Sequence, residues 1–211
     1  MFERSTAMRD EVERTIENLK RNGFSVNYHA TKEEAMAALL AAIAPEESVG
    51  YGGSVTLQEL GVFEALKARG QTQSWHWMPG EGDDRRALLA RSAASDVFLT
   101  GTNAITEDGT FVNIDGTGNR LSGMLFGHKR VLMVAGTNKI VRNYEEAMIR
   151  IKNVASPLNA RRLDRKTPCA VTGKCGNCNV PDRICRATLI IDRQMGGAPI
   201  TLHLIGEPLG Y

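Results

Sequence analysis

The four cysteines of this 211-residue chain lie close together, with the spacing C-x5-C-x2-C-x6-C: Cys169, Cys175, Cys178 and Cys185. Thiolates grouped in this way predict a shared metal ion or cluster, because four of them can complete a tetrahedral set. Gly176 and Asn177 form a turn that lets the two middle thiolates converge. The spacing lacks the paired C-x2-C knuckles of many structural zinc sites, so it favours an iron–sulfur cluster, with zinc as the alternative. A disulfide pair or free thiols would leave the segment without a metal.

The segment that carries the cysteines is basic, although the whole chain has a formal net charge of only +2. Between residues 159 and 193, three side chains are acidic and eight are cationic: Arg161, Arg162, Arg165, Lys166, Lys174, Arg183, Arg186 and Arg193. Such a field favours an anion, either an iron–sulfur centre or a phosphorylated ligand. We do not expect nucleic acid as a partner, because no aromatic side chain interleaves this run for base stacking. A solvated basic face is the alternative interpretation.

A glycine-rich turn follows a short predicted strand at residues 48–51 and precedes a predicted helix. Gly52 and Gly53 allow backbone amides to approach a ligand closely, and Ser54 and Thr56 supply hydroxyls. The N-terminus of the helix that follows favours an anion. A phosphate or a carboxylate suits this loop. No lysine follows as in a Walker loop, and the pattern G-x-G-x-x-G is absent, so we expect no nucleotide cofactor. A plain tight turn is the alternative.

A second group of polar residues lies on loops that interrupt apolar strands: Thr102, Asn103, Glu107, Asn113, Asn119 and Arg120. In open α/β sheets such loops meet in a crevice at the carboxyl ends of the strands, where ligands bind. Glu107 is the candidate catalytic residue, since a carboxylate can act as a base or a nucleophile. Arg120 can pair with an anionic substrate. Alternatively, Glu107 only occupies an exposed hairpin turn.

The elements that must position these residues alternate between helices and strands. A first helix is predicted from apolar residues at helical spacing: Met8, Val12, Ile16 and Leu19. Thr31 is the predicted N-cap of the second helix. Strands are predicted at five places: residues 24–29, 48–51, 72–77, 96–100 and 129–135. This alternation predicts an α/β fold with a mostly parallel sheet flanked by helices, and Asp108-Gly109 predicts an antiparallel hairpin excursion.

The last third of the chain contains the cysteine loop, at about residues 168–186. Before it, residues 144–154 predict a helix that Pro157 ends. After it, Ala187–Asp192 and Ile200–Ile205 predict a terminal hairpin joined through Gly196-Gly197. The apolar strand at Ile200–Ile205, taken as an edge strand, predicts pairing with a second copy in a homodimer. The chain is most simply one domain, residues 1–211.

The composition is that of an ordinary globular protein, with 42% hydrophobic and 24% charged residues. No apolar run is long enough to span a membrane, so we expect no membrane partner. The first ten residues are charged and lack the apolar core of a signal peptide, which predicts a cytoplasmic protein. Reduced thiols could then bind a metal.

Three blocks of sequence resemble the LUD domain, a family named for lactate utilisation: Gly-Gly-Ser-Val-Thr-Leu at 52–57, the polar block at 101–110, and Val-Leu-Met-Val-Ala-Gly with Asn-Lys-Ile-Val at 131–141. The cysteine tail resembles one branch of that family. The resemblance implies the NagB/RpiA/CoA-transferase-like fold of two sugar-phosphate isomerases and the CoA transferases. Some members take part in lactate oxidation beside iron–sulfur proteins, which implies a redox partner protein. This chain lacks the paired ferredoxin-type cysteine runs of those partners.

Three functions are therefore predicted as alternatives. In the first, the crevice binds a small anionic metabolite with Glu107 close to the reacting carbon, in an isomerase-like or transferase-like reaction or as part of an oxidoreductase. In the second, the cysteines hold an iron–sulfur cluster for electron transfer. In the third, they form a structural zinc or disulfide clasp on a domain that only binds a ligand.

Overall fold

The computed structural model describes the backbone of residues 2–211 and the side chains from Asp10 onward. The side chain of Met8, placed on the apolar face of the predicted first helix, lies outside the described residues. None of the helices in the described part is both long and apolar enough to cross a lipid bilayer.

Ten strands are present in the described residues: β1 (Ser25–His29), β2 (Val49–Tyr51), β3 (Gln73–Ser74), β4 (Val97–Gly101), β5 (Ala104–Thr106), β6 (Phe111–Asp115), β7 (Arg130–Gly136), β8 (Ile140–Val141), β9 (Ala187–Ile191) and β10 (Ile200–Ile205). The same part of the chain contains nine α-helices: α1 (Phe2–Arg21), α2 (Lys32–Ala42), α3 (Val55–Leu60), α4 (Val62–Ala68), α5 (Arg85–Ala93), α6 (Asn119–Leu125), α7 (Tyr144–Arg150), α8 (Ser156–Arg162) and α9 (Pro168–Thr172). A 3-10 turn at Thr137–Lys139 and a π-helical turn at Ile151–Ala155 complete the secondary structure.

The main sheet has six parallel strands in the order β1-β10-β7-β4-β2-β3. After β2 the chain adds β3 on one side, and it then returns to add β4, β7 and β10 on the other side. The order therefore reverses between β2 and β4, which creates a crevice outside the carboxyl ends of these two strands. The mostly parallel α/β architecture predicted from the sequence is confirmed.

A smaller four-stranded sheet has the order β8-β5-β6-β9. Its strands β5 and β6 form the predicted antiparallel hairpin, and Gly109 in their turn has a φ of 85°, which favours glycine. This hairpin carries the chain away from β4 and back toward α6. Its return strand therefore delivers residues 113–120 to the side of the crevice.

The two faces of the main sheet pack against separate apolar layers, because successive side chains of a strand point to opposite faces. Leu99 and Leu132 face helices α2, α3 and α4. Phe98 and Val131 face α1, α6 and the small sheet. Burial on both faces explains why these strands read as continuous apolar runs in the sequence.

Helix starts in the crevice region are set by local capping. Thr31, Ser54, Asp84 and Asn143 each accept a hydrogen bond from the backbone N–H three residues further on. Such caps satisfy a donor that the helix itself leaves unpaired and stabilise the start by about 1 kcal/mol each. Thr31 is thus the N-cap that its sequence predicted.

The predicted terminal hairpin is wrong. Strand β9 pairs antiparallel with β6 in the small sheet, whereas β10 lies between β1 and β7 in the main sheet. The near-continuous apolar sequence of β10 is that of an interior parallel strand, buried on both faces. Because β10 is not an edge strand, it cannot pair with a second copy, and the reason given for a homodimer fails.

The helix that Pro157 was predicted to end continues through it. The π-helical turn at Ile151–Ala155 joins α7 directly to α8, and Pro157 lies in the first turn of α8. A proline lacks the N–H and its ring crowds the carbonyl of the preceding turn, so a widened turn before it relieves the clash. The continuation carries Arg162 to the crevice.

Candidate functional site

A cavity of about 750 Å³ lies at the carboxyl ends of the parallel strands. The segments that follow β2, β4 and β7 form its floor, and the segment after β6 forms one side. Helix α8, the loop at residues 181–186 and the C-terminal Tyr211 enclose it. The volume lies within the range of small-molecule sites.

The lining of the cavity is strongly cationic. Two lining residues are acidic, Asp115 and Asp182, and seven are basic: Arg85, Arg120, Lys139, Arg162, Arg165, Arg183 and Arg186. Four of these seven come from the basic segment for which the sequence predicted a nearby anion. A concave surface with one sign of charge concentrates ligands of the opposite sign.

Arg120 forms the rigid part of the floor and is only 6% exposed. One of its terminal nitrogens donates to Asn113 Oδ1 at 2.7 Å, and the other donates to Asn103 Oδ1 at 2.9 Å and to the Ile114 carbonyl at 2.8 Å. Its nearest carboxylate oxygen, on Asp115, is 4.0 Å away. Neutral oxygens therefore make the close contacts to this guanidinium, and Asp115 pairs with it only at the limit of an ion-pair distance.

The predicted glycine loop lies at the cavity, but its glycines make room for protein side chains. A Cβ on Gly52 would come within 2.8 Å of Arg120 Cγ, and a Cβ on Gly53 within 2.7 Å of the Trp77 ring. The Ser54 hydroxyl accepts from the Leu57 N–H at 3.3 Å and caps α3. The loop therefore packs Arg120 and Trp77 into place beside the site.

The remaining predicted polar residues surround Arg120. Thr102, Asn103 and Asn119 line the cavity, whereas Asn113 is fully buried behind the wall. The Asn103 N–H donates to Asn113 Oδ1 at 3.0 Å, and the Ile114 N–H donates to Asn103 Oδ1 at 2.9 Å. These reciprocal bonds join the end of β4 to the end of β6.

Sequence reasoning missed Lys139, which lies at the floor and is 2% exposed. Its Nζ donates to Thr56 Oγ1 at 2.6 Å, and that hydroxyl is 3.4 Å from the Leu209 carbonyl that it faces. Burial, followed by the charges of Arg150 and Arg120, lowers the pKa of Lys139 to about 7. The available signal was position, because Lys139 comes three residues after the buried strand β7, at the sheet edge where ligands bind.

An aromatic wall, which sequence reasoning did not assign to the ligand site, faces this floor. The Arg162 guanidinium lies 3.9 Å from the centroid of the Trp77 ring, an attractive cation–π distance. Burial, then the charge of Arg85, lowers the pKa of His76 to about 4, so this imidazole is neutral near pH 7. His76 Nδ1 is buried and has no hydrogen-bond partner among the described residues.

Glu107 does not line the cavity. It lies in the β5–β6 turn, where its carboxylate pairs with Arg14 at 3.1 Å and its carbonyl accepts from Asn18 Nδ2 at 2.7 Å. Its predicted position at the crevice is therefore wrong, since the hairpin turn points toward α1. A catalytic role for Glu107 stays a prediction that this geometry does not support.

The cysteine loop borders the cavity through Cys185. All four thiols are free, and the described residues contain no group of three or more Cys, His, Asp or Glu arranged to hold a metal ion. Cys185 Sγ lies 3.2 Å from Ser156 Oγ, and burial raises the pKa of this thiol. This arrangement does not fit a preformed four-cysteine site at Cys169, Cys175, Cys178 and Cys185. Metal binding stays a prediction.

The open parallel sheet, with a cationic crevice at the point where its strand order reverses, defines an α/β domain of the doubly wound kind. The model of the LUD domain family matches residues 12–205, so the chain belongs to the LUD-domain family. A comparison with curated protein sequences gives no match.

Solved structures share the fold at low sequence identity. A DUF162 family protein from Deinococcus radiodurans has a TM-score of 0.53 at 12% identity, covering 94% of this chain and 98% of its own. Ribose 5-phosphate isomerase from Plasmodium falciparum has a TM-score of 0.33 at 15% identity, with 53% of this chain and 52% of its own covered. The eIF2B delta protein from Chaetomium thermophilum has a TM-score of 0.34 at 14% identity, with 56% and 51% covered. The first likeness shows the fold alone, and the other two are too weak to support an argument.

Proposed function

We propose that the protein binds a small anionic metabolite, carrying a carboxylate or a phosphate, in the cavity at the carboxyl ends of the strands. The observation that carries this proposal is the excess of seven basic over two acidic lining residues around a volume of about 750 Å³. Positive charge gathered in a concave, partly buried site is costly unless an anion compensates it. The family's link to lactate utilisation makes small hydroxy and oxo acids the first ligands to test.

Different cations serve different roles in this proposal. Arg120 is held by protein oxygens and contributes charge to the floor. Arg162 donates to Asn159 Oδ1 through two nitrogens, Nε and Nη2, and its other terminal nitrogen makes no hydrogen bond to a described residue. This nitrogen of Arg162 can therefore donate directly to a carboxylate or phosphate.

The direct test is a thermal-shift screen followed by calorimetric titration. The screen would use L-lactate, pyruvate, inorganic phosphate and ribose 5-phosphate, because a ligand that binds only the native state raises the Tm. Replacing Arg162→Gln should weaken binding of the best ligand by about tenfold or more, since a charge-assisted hydrogen bond is lost.

Arg161→Gln is the matched control, because Arg161 is the adjacent residue, is exposed, and donates to the Ala170 carbonyl outside the cavity. It should leave the affinity unchanged. Equal losses in both variants, or no protection by any anion, would contradict the proposal.

The iron–sulfur and clasp hypotheses concern the cysteine loop and are independent of this cavity test. An iron–sulfur centre predicts iron and sulfide in equal amounts, with visible absorption, in protein purified without oxygen. A zinc clasp predicts colourless protein with zinc, and chelation would lower its stability without changing anion binding.

A further inference from the structure

Lys139 is a buried amine with no acidic partner in contact. No carboxylate among the described side chains forms an ion pair with it, and its one side-chain partner is the neutral Thr56 hydroxyl at 2.6 Å. It is 2% exposed and lines the floor of the cavity. An unpaired ammonium at such a place is unfavourable, because burial removes its water without supplying a counter-charge.

The charged groups that act on Lys139 come from three elements packed around it. Arg150 of α7 and Arg120 of α6 oppose its protonation, whereas Glu59 of α3 favours it more weakly. The balance makes the neutral amine accessible near pH 7. An anion at the floor would reverse the balance, because a negative charge beside an amine stabilises its protonated form.

We propose that Lys139 adjusts its charge to the ligand: in the free protein it is mainly a neutral amine just above neutral pH, and it becomes an ammonium when an anionic group binds next to Thr56. Binding at that pH then takes up as much as one proton, and Lys139 is a specificity residue that favours ligands placing a negative charge at the floor. This inference rests on the proposed function, since it needs an anion in the cavity.

The affinity of the cavity for an anion should then depend on pH. Below about pH 7 Lys139 is already protonated, and affinity for an anion should be constant. Above that pH each unit should weaken binding by about tenfold, because the proton must be taken from solution. The pKa of His76 is lowered to about 4, so this imidazole is neutral at and above pH 7. Cys185 also lines the cavity, and its thiol would add a negative charge only at high pH.

The test is titration calorimetry with sulfate, a tetrahedral dianion that does not itself titrate near neutral pH. At pH 7.5, in two buffers of different ionisation enthalpy, the wild-type protein should take up more than half a proton per sulfate bound. Lys139→Met should bind sulfate at least tenfold more weakly, with uptake near zero and a flat pH profile. Lys152→Met, an exposed lysine outside the cavity, should behave as wild type.

The outcomes separate the two proposals. Sulfate binding to wild type without proton uptake, or uptake that persists in Lys139→Met, would overturn the role of Lys139 and leave the anion site standing. If neither sulfate nor any anion of the thermal-shift screen binds the wild-type protein, the proposed function fails and this inference fails with it. Lys139→Gln provides a second variant if the methionine protein does not fold.

Discussion

At the scale of single residues, the buried lysine is expected to lower the stability of the free protein. The pKa of Lys139 is about 7 in the folded protein and near 10.5 as an ordinary lysine. The unfolded chain therefore binds a proton between these values that the folded protein releases, so folding stability falls as the pH decreases from about 10.5 to 7 and then levels off.

Lys139→Met removes this titration and should raise the Tm, by more at pH 7 than at pH 10. At pH 7 the free energy of unfolding should increase by on the order of a few kcal/mol, since each unit of pKa shift corresponds to about 1.4 kcal/mol. Thermal unfolding of this variant and of Lys152→Met at both pH values measures the effect. A lower Tm at pH 7 would show that Lys139 stabilises the fold, and equal shifts at both pH values would show that Lys139 does not titrate between them.

Replacing Glu107, in contrast to Lys139, should have only small effects on binding and stability. Its pair with Arg14 joins side chains that are 25% and 54% exposed, and such exposed pairs contribute about 0–1 kcal/mol. Glu107→Gln should leave anion affinity within about twofold of wild type and lower stability by less than about 1 kcal/mol. Titration and denaturant unfolding test this. A large loss of anion affinity would show that Glu107 contributes to the binding site.

The residues that sequence reasoning found and those that it missed differ in a physical way. Thr56 and Arg120 follow apolar strands closely, and loop polarity alone placed them at a crevice. Arg162 and Trp77 reach the same cavity only because a helix continues through Pro157 and a loop folds back over it. The contact between these two side chains depends on tertiary packing, which a local sequence pattern does not predict.

At the scale of elements, the glycine loop after β2 should tolerate no side chain. A Cβ at Gly53 would lie 2.7 Å from the Trp77 ring, which carries Arg162 on its face. Gly53→Ala should therefore displace Trp77 and Arg162, cost about 1–3 kcal/mol of stability and weaken anion binding. Tryptophan fluorescence, unfolding and titration would record the three effects.

Gly196→Ala is the control for that change, because a Cβ there meets no atom within 4 Å and the residue has no positive φ. It should alter neither stability nor binding measurably. If Gly53→Ala also changes neither stability nor anion binding, the glycine loop can accommodate a Cβ and does not hold Trp77 in place.

Local patterns predicted elements better than they predicted their partners. The Asp108-Gly109 turn specified the β5–β6 hairpin, since a tight turn fixes the pairing of its own two strands. Strands β9 and β10 are also adjacent in sequence, yet each pairs with a distant strand. Apolar sequence alone could not distinguish an interior parallel strand from half of a hairpin.

At the scale of the whole molecule, the alternation of strands and helices was enough to predict the parallel sheet and a crevice at one of its ends. The small sheet then displaces the β5–β6 turn toward α1, and with it Glu107. The long return of the chain through the basic segment brings Arg162, Arg165, Arg183 and Arg186 over that crevice. The charge of this segment was visible in the sequence, whereas its destination depended on the fold.

Locating a bound anion in the cationic cavity would test most directly whether this cavity is an anion site. Crystals grown with selenate, a sulfate analogue with an anomalous signal from selenium, would show where the dianion binds. We expect a selenate inside the cavity, with oxygens within hydrogen-bond distance of Arg162 or Lys139. Selenate bound only on outer surfaces, with the cavity free of it at saturating concentration, would contradict the account.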